Sequence, residues 1–492
     1  MTEYFVANDG DDNKDGLSEE SAWQTISKVE AFSFEPGDFC RFKRGGVWIG
    51  SGDNLSAALK ITRSGQVGNP ITFSAYGIGI NPIIENPGSI TNGIVIDADN
   101  IIVENFLIRN VHNWGINIVN GRSSNIVRKN EMTDVGIGCG INGTHNLVTK
   151  NYIHDLHMVV DTPSPTDDDY GAVGIWIYSH ENEISYNRMV NCMAPSQDYS
   201  YDGGAVEWFG DADRNYVHHN FAMGCNGFFE VGGGSCKDTI VSYNISLNNR
   251  VFGGFHLTGP FASDIENFRL ENNVAVETAY EDMEYVMLWG GDIPESALVM
   301  RNNVIYMGNF WFFAEYGNFT HDHNIYHFTN PSTELCKFGG YTLGTGEMVE
   351  APLFVDIANS DFHLQANSPG VDAGVDLGHP LDFDGNPVPA GTASDIGAYE
   401  RQELEMPTRN VDAIMISNWQ VTGQNVNIPQ YQFDFEIYWT EHDGTKKQHS
   451  GTYRYPNDIS QMPIKVRKRY AQEMIIATAR VTLGIDEWER YE

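Results

Sequence analysis

Cationic side chains are scarce in this chain. Its 492 residues hold 30 Lys and Arg against 66 Asp and Glu, a formal net charge of -36. So acidic a protein excludes nucleic acid as a partner, because phosphate recognition needs a basic face. It also argues against docking on an anionic membrane surface. Long apolar runs are missing as well, and no segment approaches the roughly 20 residues that span a bilayer. The opening Met1-Thr2-Glu3-Tyr4-Phe5-Val6 has neither the basic nor the apolar region of a secretory signal. Cysteine is sparse. Cys40, Cys139, Cys192, Cys225, Cys236 and Cys336 form no CxxC pair, which excludes a disulfide framework and the usual zinc spacing and leaves buried thiols as the expectation.

Glycine is abundant, at 50 residues, and 41% of the chain is hydrophobic. That is the composition of a folded chain with many tight turns. Its order is repetitive. Gly115-Ile116-Asn117-Ile118 leads to Asn125-Ile126-Val127-Arg128-Lys129-Asn130. The same unit recurs from Gly174 to Asn187, Ala205 to Asn220, Phe228 to Asn244 and Gly254 to Asn272. Apolar residues alternate within each unit, which is strand periodicity. A period of about 20–25 residues is that of a solenoid, in which no unit can bury its apolar face alone. The fold class expected is all-β, a right-handed parallel β-helix with an N-terminal cap around Trp23 to Val29. Leucine-rich repeats have a different Leu spacing, and propeller blades are about 40 residues long.

The recurring Asn105, Asn130, Asn151, Asn187, Asn220, Asn244 and Asn272 predict a stacked turn. Asn tolerates left-handed backbone there, and its amide can bond the next Asn. Cys192 follows Asn187 by the same five residues as Cys225 follows Asn220, so the two are expected on adjacent coils, as a stacked pair of small core residues rather than a disulfide.

In the pattern Gly-apolar-x-apolar the apolar residues point inward and x points out. Aligning the units places Asn117, Trp176, Glu207, Glu230 and His256 at x. Stacked coils are about 4.8 Å apart, so these form an outward column. Two carboxylates on neighbouring coils repel, and one pKa is pushed upward. That is the acid-plus-base or acid-plus-nucleophile pairing of a glycosidase. Two merely solvated glutamates would be unfavourable neighbours for no return. Insertions between about His157 and Tyr170 and between Met193 and Gly204 enter the same face, where solenoids usually bind ligands. They contribute Asp168, Asp169 and Asp202 as candidates for a third carboxylate or a cation site. The catalytic candidates are Glu207, Glu230 and Asp202. Trp176, Tyr178, Asp169, Tyr201, His256 and Trp289 are candidates for holding sugar, the aromatic ones through their stacking faces. No cofactor is required by this set, and Ca2+ is the one ion its oxygen ligands would suit. The acidic run from Asp9 to Asp15 has EF-hand-like spacing but Lys14 where such a loop needs Gly, so it is read as a polar turn.

Tyr4-Phe5-Val6-Ala7-Asn8-Asp9-Gly10, Ala22-Trp23-Gln24-Thr25-Ile26, Pro36-Gly37-Asp38 and Gly68-Asn69-Pro70-Ile71-Thr72-Phe73 resemble the opening of bacterial and phage β-helix proteins of the pectate-lyase-like superfamily. Asn367-Ser368-Pro369-Gly370 and Asp395-Ile396-Gly397-Ala398-Tyr399-Glu400 resemble the end of such helices. The resemblance covers about residues 3–400. It implies a carbohydrate-active protein with a polysaccharide partner, and leaves three readings open. Glycoside hydrolysis in an open groove follows from the carboxylate pair. A polysaccharide lyase needs a Lys or Arg base or a bridging Ca2+, and the column has no Lys or Arg. A phage-type fibre would bind glycan without cleaving it. The phage resemblance implies a protein made in the cytoplasm, virion-associated or released by lysis, and acting outside the cell.

Residues 1–403 thus form the β-helix with its cap, and residues 404–492 a small α+β domain. The latter has strands around Tyr431 to Trp439, an expected helix at about 467–483, and a possible role in oligomer formation.

Overall fold

Short alternating strands interrupted by Gly and Asn wind into coils, and the coils stack in parallel register. The structure, a computed structural model, describes residues 1–163, 165, 168–279, 283–289, 295–308, 310–313, 319–330, 342–402, 410–422, 430–440 and 446–455. In 283–289, 310–313 and the last three stretches it describes the backbone path. The chain divides into two compact units, Met1–Arg401 and Gln402–Glu492.

Each coil of the first unit contributes a strand to each of three parallel ladders. The first sheet has 12 strands, from Glu3–Val6 through Ile126–Arg128 to Thr320–Asp322. The second runs from Val47–Ile49 through Glu131–Thr133 to Met348–Val349. The third runs from Ala57–Ile61 through Val173–Ile177 and Gly204–Phe209 to Phe310–Phe313. Leu107–Ile118 is one long strand that belongs to the second ladder at its start and the third at its end. This is a parallel β-helix, as the repeat and its period imply. Inward residues such as Ile116, Cys139, Ile175, Val206 and Val231 form one continuous core.

Two asparagine ladders line the ends of the first sheet. In one, Asn130, Asn151, Asn187, Asn220, Asn244, Asn273, Asn303 and Asn324 each accept on Oδ1 from the backbone N–H and side-chain amide of the Asn one coil earlier, from Asn151 onward. The distances are 2.9–3.2 Å. The second ladder joins Asn125, Asn146, Asn182 and Asn215. The left-handed residue is the one before each ladder Asn: Lys129, Lys150, Tyr186, His219 and Tyr243 have φ between 51° and 57°. Two expected rungs therefore move. Asn105 is itself the left-handed residue, with Phe106 at the rung, and Asn273 replaces Asn272. The first ladder ends on Glu347, whose Oε1 accepts from Asn324 Nδ2 at 2.7 Å and from the Tyr326 hydroxyl at 2.8 Å. Burial pushes that carboxyl up, but hydrogen bonds from His321, Asn324 and the Gly344 N–H outweigh it and hold it below the usual range.

The N-terminal cap carries a short helix, Ile26–Ala31, with Thr25 accepting at its start from the Lys28 N–H. The acidic run beside it folds as a polar turn. Asp12 accepts from Gln24, Thr25 N–H and the Thr25 hydroxyl, and Asp15 from Leu17 N–H and Ser21. At the other end, Phe354, Phe362, Leu364, Ile396 and Ala398 pack on Ile245, Val274, Val304 and Ile325. Those four stand in register on the second sheet. Cys40, Cys139, Cys192, Cys225 and Cys236 are buried free thiols. We expect them to stay unreactive to a thiol reagent until the protein unfolds, which a titration with and without denaturant measures. In the second unit, Asn410–Thr422, Gln430–Thr440 and Lys446–Tyr455 form an antiparallel sheet. The helix expected at 467–483 lies outside the described residues.

Candidate functional site

The third sheet carries the outward column, and its register can be read strand by strand. Lys60, Val95, Asn117, Gly140, Trp176, Glu207, Glu230, Gly254 and Met287 are successive partners. Glu207 and Glu230 are thus direct neighbours on adjacent coils. His256 is not in this column. Val251–His256 contains Gly253 and Gly254 in succession, so the Gly-apolar-x-apolar pattern was aligned two residues late, and Gly254 stands opposite Glu230. A period of two keeps His256 on the same outward face. It belongs to a second outward column with Tyr178, Phe209, Gly232 and Trp289.

The two glutamates have different surroundings. Glu207 is 6% exposed and has no hydrogen-bond or ion-pair partner among the described residues. Its Oε1 lies over Gly204, where an added Cβ would be 3.0 Å away. Burial first, then the charges of Glu230 and Asp202, push its carboxyl well above the usual range. Glu230 is half-buried, and its Oε1 accepts from His256 Nε2 at 2.9 Å.

The insertions form two small antiparallel pairs, Met158–Val160 with Tyr170–Gly171 and Ala194–Ser196 with Ser200–Asp202. The second brings Asp202 within electrostatic reach of both glutamates. Burial pushes Asp202 up to about 7, opposed by the Gly203 N–H and reinforced by the charges of Glu230 and Asp169. A carboxyl raised in the folded state contributes stability that is full below its unfolded pKa near 3.8 and lost as pH rises through about 7. Asp202→Asn is therefore expected to flatten the fall in melting temperature between about pH 4 and 7, and to raise it at pH 8, in calorimetric scans.

Asp169 does not face the column. Its Oδ1 accepts from Thr162 N–H at 2.6 Å, and its Oδ2 from Ser196 at 2.7 Å and Asp198 N–H at 3.0 Å. It ties the two insertions together. Carboxylate oxygens of Asp168, Asp169 and Asp198 lie within 4.8 Å of one another, and an oxygen set of this kind could hold Ca2+.

Trp176 occupies the column but is 7% exposed. Trp114, Tyr170, Tyr178 and Phe209 surround it at centroid distances of 5.1–5.9 Å. It is the centre of an aromatic wall rather than an open stacking face. Tyr178 is half-buried and stacked on it. Tyr201 is 43% exposed at the rim, with the Arg250 guanidinium 5.4 Å from its ring centroid. Trp208 points inward and is wholly buried. The backbone of Trp289 pairs with His256, and its side chain lies outside the described residues.

Trp114 was not picked out from the sequence. Its ring covers Gly140, where a Cβ would approach it to 2.1 Å. The signal was Gly140 itself, a column position with no side chain next to a Trp one coil away. Phe209 and Phe261 were missed likewise, and both pack near His256, at 6.4 and 6.0 Å.

Neither a protein-family model nor a curated protein sequence matches this chain. Solved structures do match. Pectate lyase Pel9A superposes with a TM-score of 0.56 at 14% identity, over 82% of this chain and 97% of that one. XylC in complex with xylose gives a TM-score of 0.49 at 11% identity, over 82% and 99%. The GH136 lacto-N-biosidase from Eubacterium ramulus gives 0.45 at 14%, over 71% and 68%. At such identities the likeness is one of fold, a parallel β-helix shared with pectate lyase Pel9A.

Proposed function

We propose that this protein is a carbohydrate-active enzyme that hydrolyses glycosidic bonds of a polysaccharide lying along the third sheet. One observation carries the reading: Glu207 and Glu230 are register partners whose environments differ. Glu207, buried and unpartnered, is held protonated and is the general acid. Its proton goes to the glycosidic oxygen as the bond to the anomeric carbon breaks. Glu230, with a hydrogen-bond donor on one oxygen, is the nucleophile or base on the other side of that carbon. Strand neighbours are about 4.8 Å apart, which favours direct attack by Glu230 and retention of configuration. Asp202 raises the proton affinity of Glu207 by its charge. The wall built on Trp114, Trp176 and Tyr178 supports the apolar face of a sugar. Sharing a fold with a pectate lyase is compatible with a saccharide ligand.

A lyase is the second reading, favoured by the placement of Arg250 over Tyr201, on the rim that carries Asp202. A panel of neutral and uronate-containing polysaccharides separates the two. New reducing ends without the ultraviolet absorbance of an unsaturated uronate are expected. Reducing ends with that absorbance would establish the lyase instead, and binding without cleavage would leave a glycan-binding protein.

A further inference from the structure

We propose that His256 is a positioning residue for Glu230; this rests on the catalytic reading of Glu230. The outward positions of two neighbouring coils form a rectangle with Glu230 and Gly232 on one strand and Gly254 and His256 on the next. Glu230 and His256 occupy opposite corners. Diagonal neighbours in a sheet are about 7–8 Å apart at the backbone, beyond contact for most short side chains. Yet Nε2 of His256 is 2.9 Å from Oε1 of Glu230.

The other two corners are glycines, so neither contributes a side chain of its own. The corner at Gly232 is filled from elsewhere: the Phe209 ring lies over it, and a Cβ there would be 2.6 Å from that ring. Phe209 and Phe261 then flank the imidazole, with their centroids 6.4 and 6.0 Å from it and 6.0 Å from each other. The ring is held by packing, not by Glu230 alone. A carboxylate only accepts, so the proton of the pair is on His256 Nε2. Oε2 of Glu230 has no partner among the described residues. One oxygen is thereby anchored, and the other is left to reach the sugar.

The test pairs kinetics with spectroscopy. His256→Ala is expected to lower kcat about 100-fold while KM stays within about twofold, because the loss is one of alignment. His256→Gln, which keeps an N–H donor, is expected to recover about tenfold of that. A raised KM with unchanged kcat would make His256 a sugar ligand and overturn the proposal. The second readout needs no turnover. In 15N spectra of histidine-labelled protein, His256 is expected as the Nε2–H tautomer, with its Nε2 signal shifted in Glu230→Ala. An unchanged His256 signal in that variant would overturn the pairing itself. If no polysaccharide is cleaved while the spectrum responds as expected, the hydrolase reading fails and the pair stands.

Discussion

Glu207→Gln is expected to lower turnover of a natural polysaccharide by about 10³-fold or more while raising the melting temperature. The first effect follows from removing the proton that the leaving oxygen needs. It should depend on the leaving group: an aryl glycoside whose phenol departs without protonation should lose far less. Glu230→Gln removes the group that meets the anomeric carbon, so its loss should be comparable on both substrates. The stability gain follows from the same environment. Glu207 is buried, unpartnered and near two other carboxyls, so folding at neutral pH must take up a proton there, and an amide of equal size removes that cost. Kinetics on the two substrate types, with thermal scans of the same variants, check this. Full activity and unchanged melting in both variants would mean solvated glutamates with no role.

Asn220→Ala is expected to destabilise the β-helix by about 3–5 kcal/mol, from at least two buried groups left without partners. Asn220 Oδ1 accepts from the backbone N–H and the side-chain amide of Asn187 at 2.9 and 3.0 Å. Its own amide donates to Asn244, to the Ile184 carbonyl and to the His218 carbonyl. No water replaces these, since Asn187, Asn220 and Asn244 are almost fully buried. Asn226→Ala, in the half-buried turn of the same coil, removes only rim bonds to the Tyr201 carbonyl and Arg250 and should cost about 1 kcal/mol or less. Urea unfolding of the two variants beside the parent measures both. A loss below about 1 kcal/mol for Asn220→Ala would make the ladder a passenger of the coil rather than a support.

The coil and its period were legible because strand alternation is a local signal, repeated many times. The Glu207–Glu230 neighbourhood was legible for the same reason: each lies in an unbroken apolar-x-apolar stretch. The register was lost at Val251–His256, where x can stand at Gly254 or at His256, two residues apart on the same face, and a period of two cannot choose between them. The surroundings of Asp169 were not legible for another reason. Its partners Thr162, Ser196 and Asp198 lie on two insertions whose pairing is not periodic, so nothing local shows that it turns back on its own loops. Trp176 was placed on the correct face, but its covering by Trp114 and Phe209 depends on glycines one coil away.

The asparagine ladder has a direction, and this makes shortening the solenoid asymmetric. Every rung gives its backbone N–H and an amide hydrogen to the Asn one coil later, while the same amide also donates to a carbonyl of the coil before. Removing coils from the start leaves an Oδ1 with fewer donors, a mild defect in a group that tolerates under-use. Removing coils from the end strands a backbone N–H, the defect that proteins tolerate least, and leaves the amide only its carbonyl in the coil before, whereas a cut at the start takes that carbonyl and keeps the N–H paired. The chain closes this end with Glu347, a carboxylate that needs no further acceptor itself. As far as the ladder's backbone N–H groups are concerned, a shortened β-helix tolerates loss of its first coils better than of its last. Cut from its last, it needs an Asp or Glu installed at the new final rung.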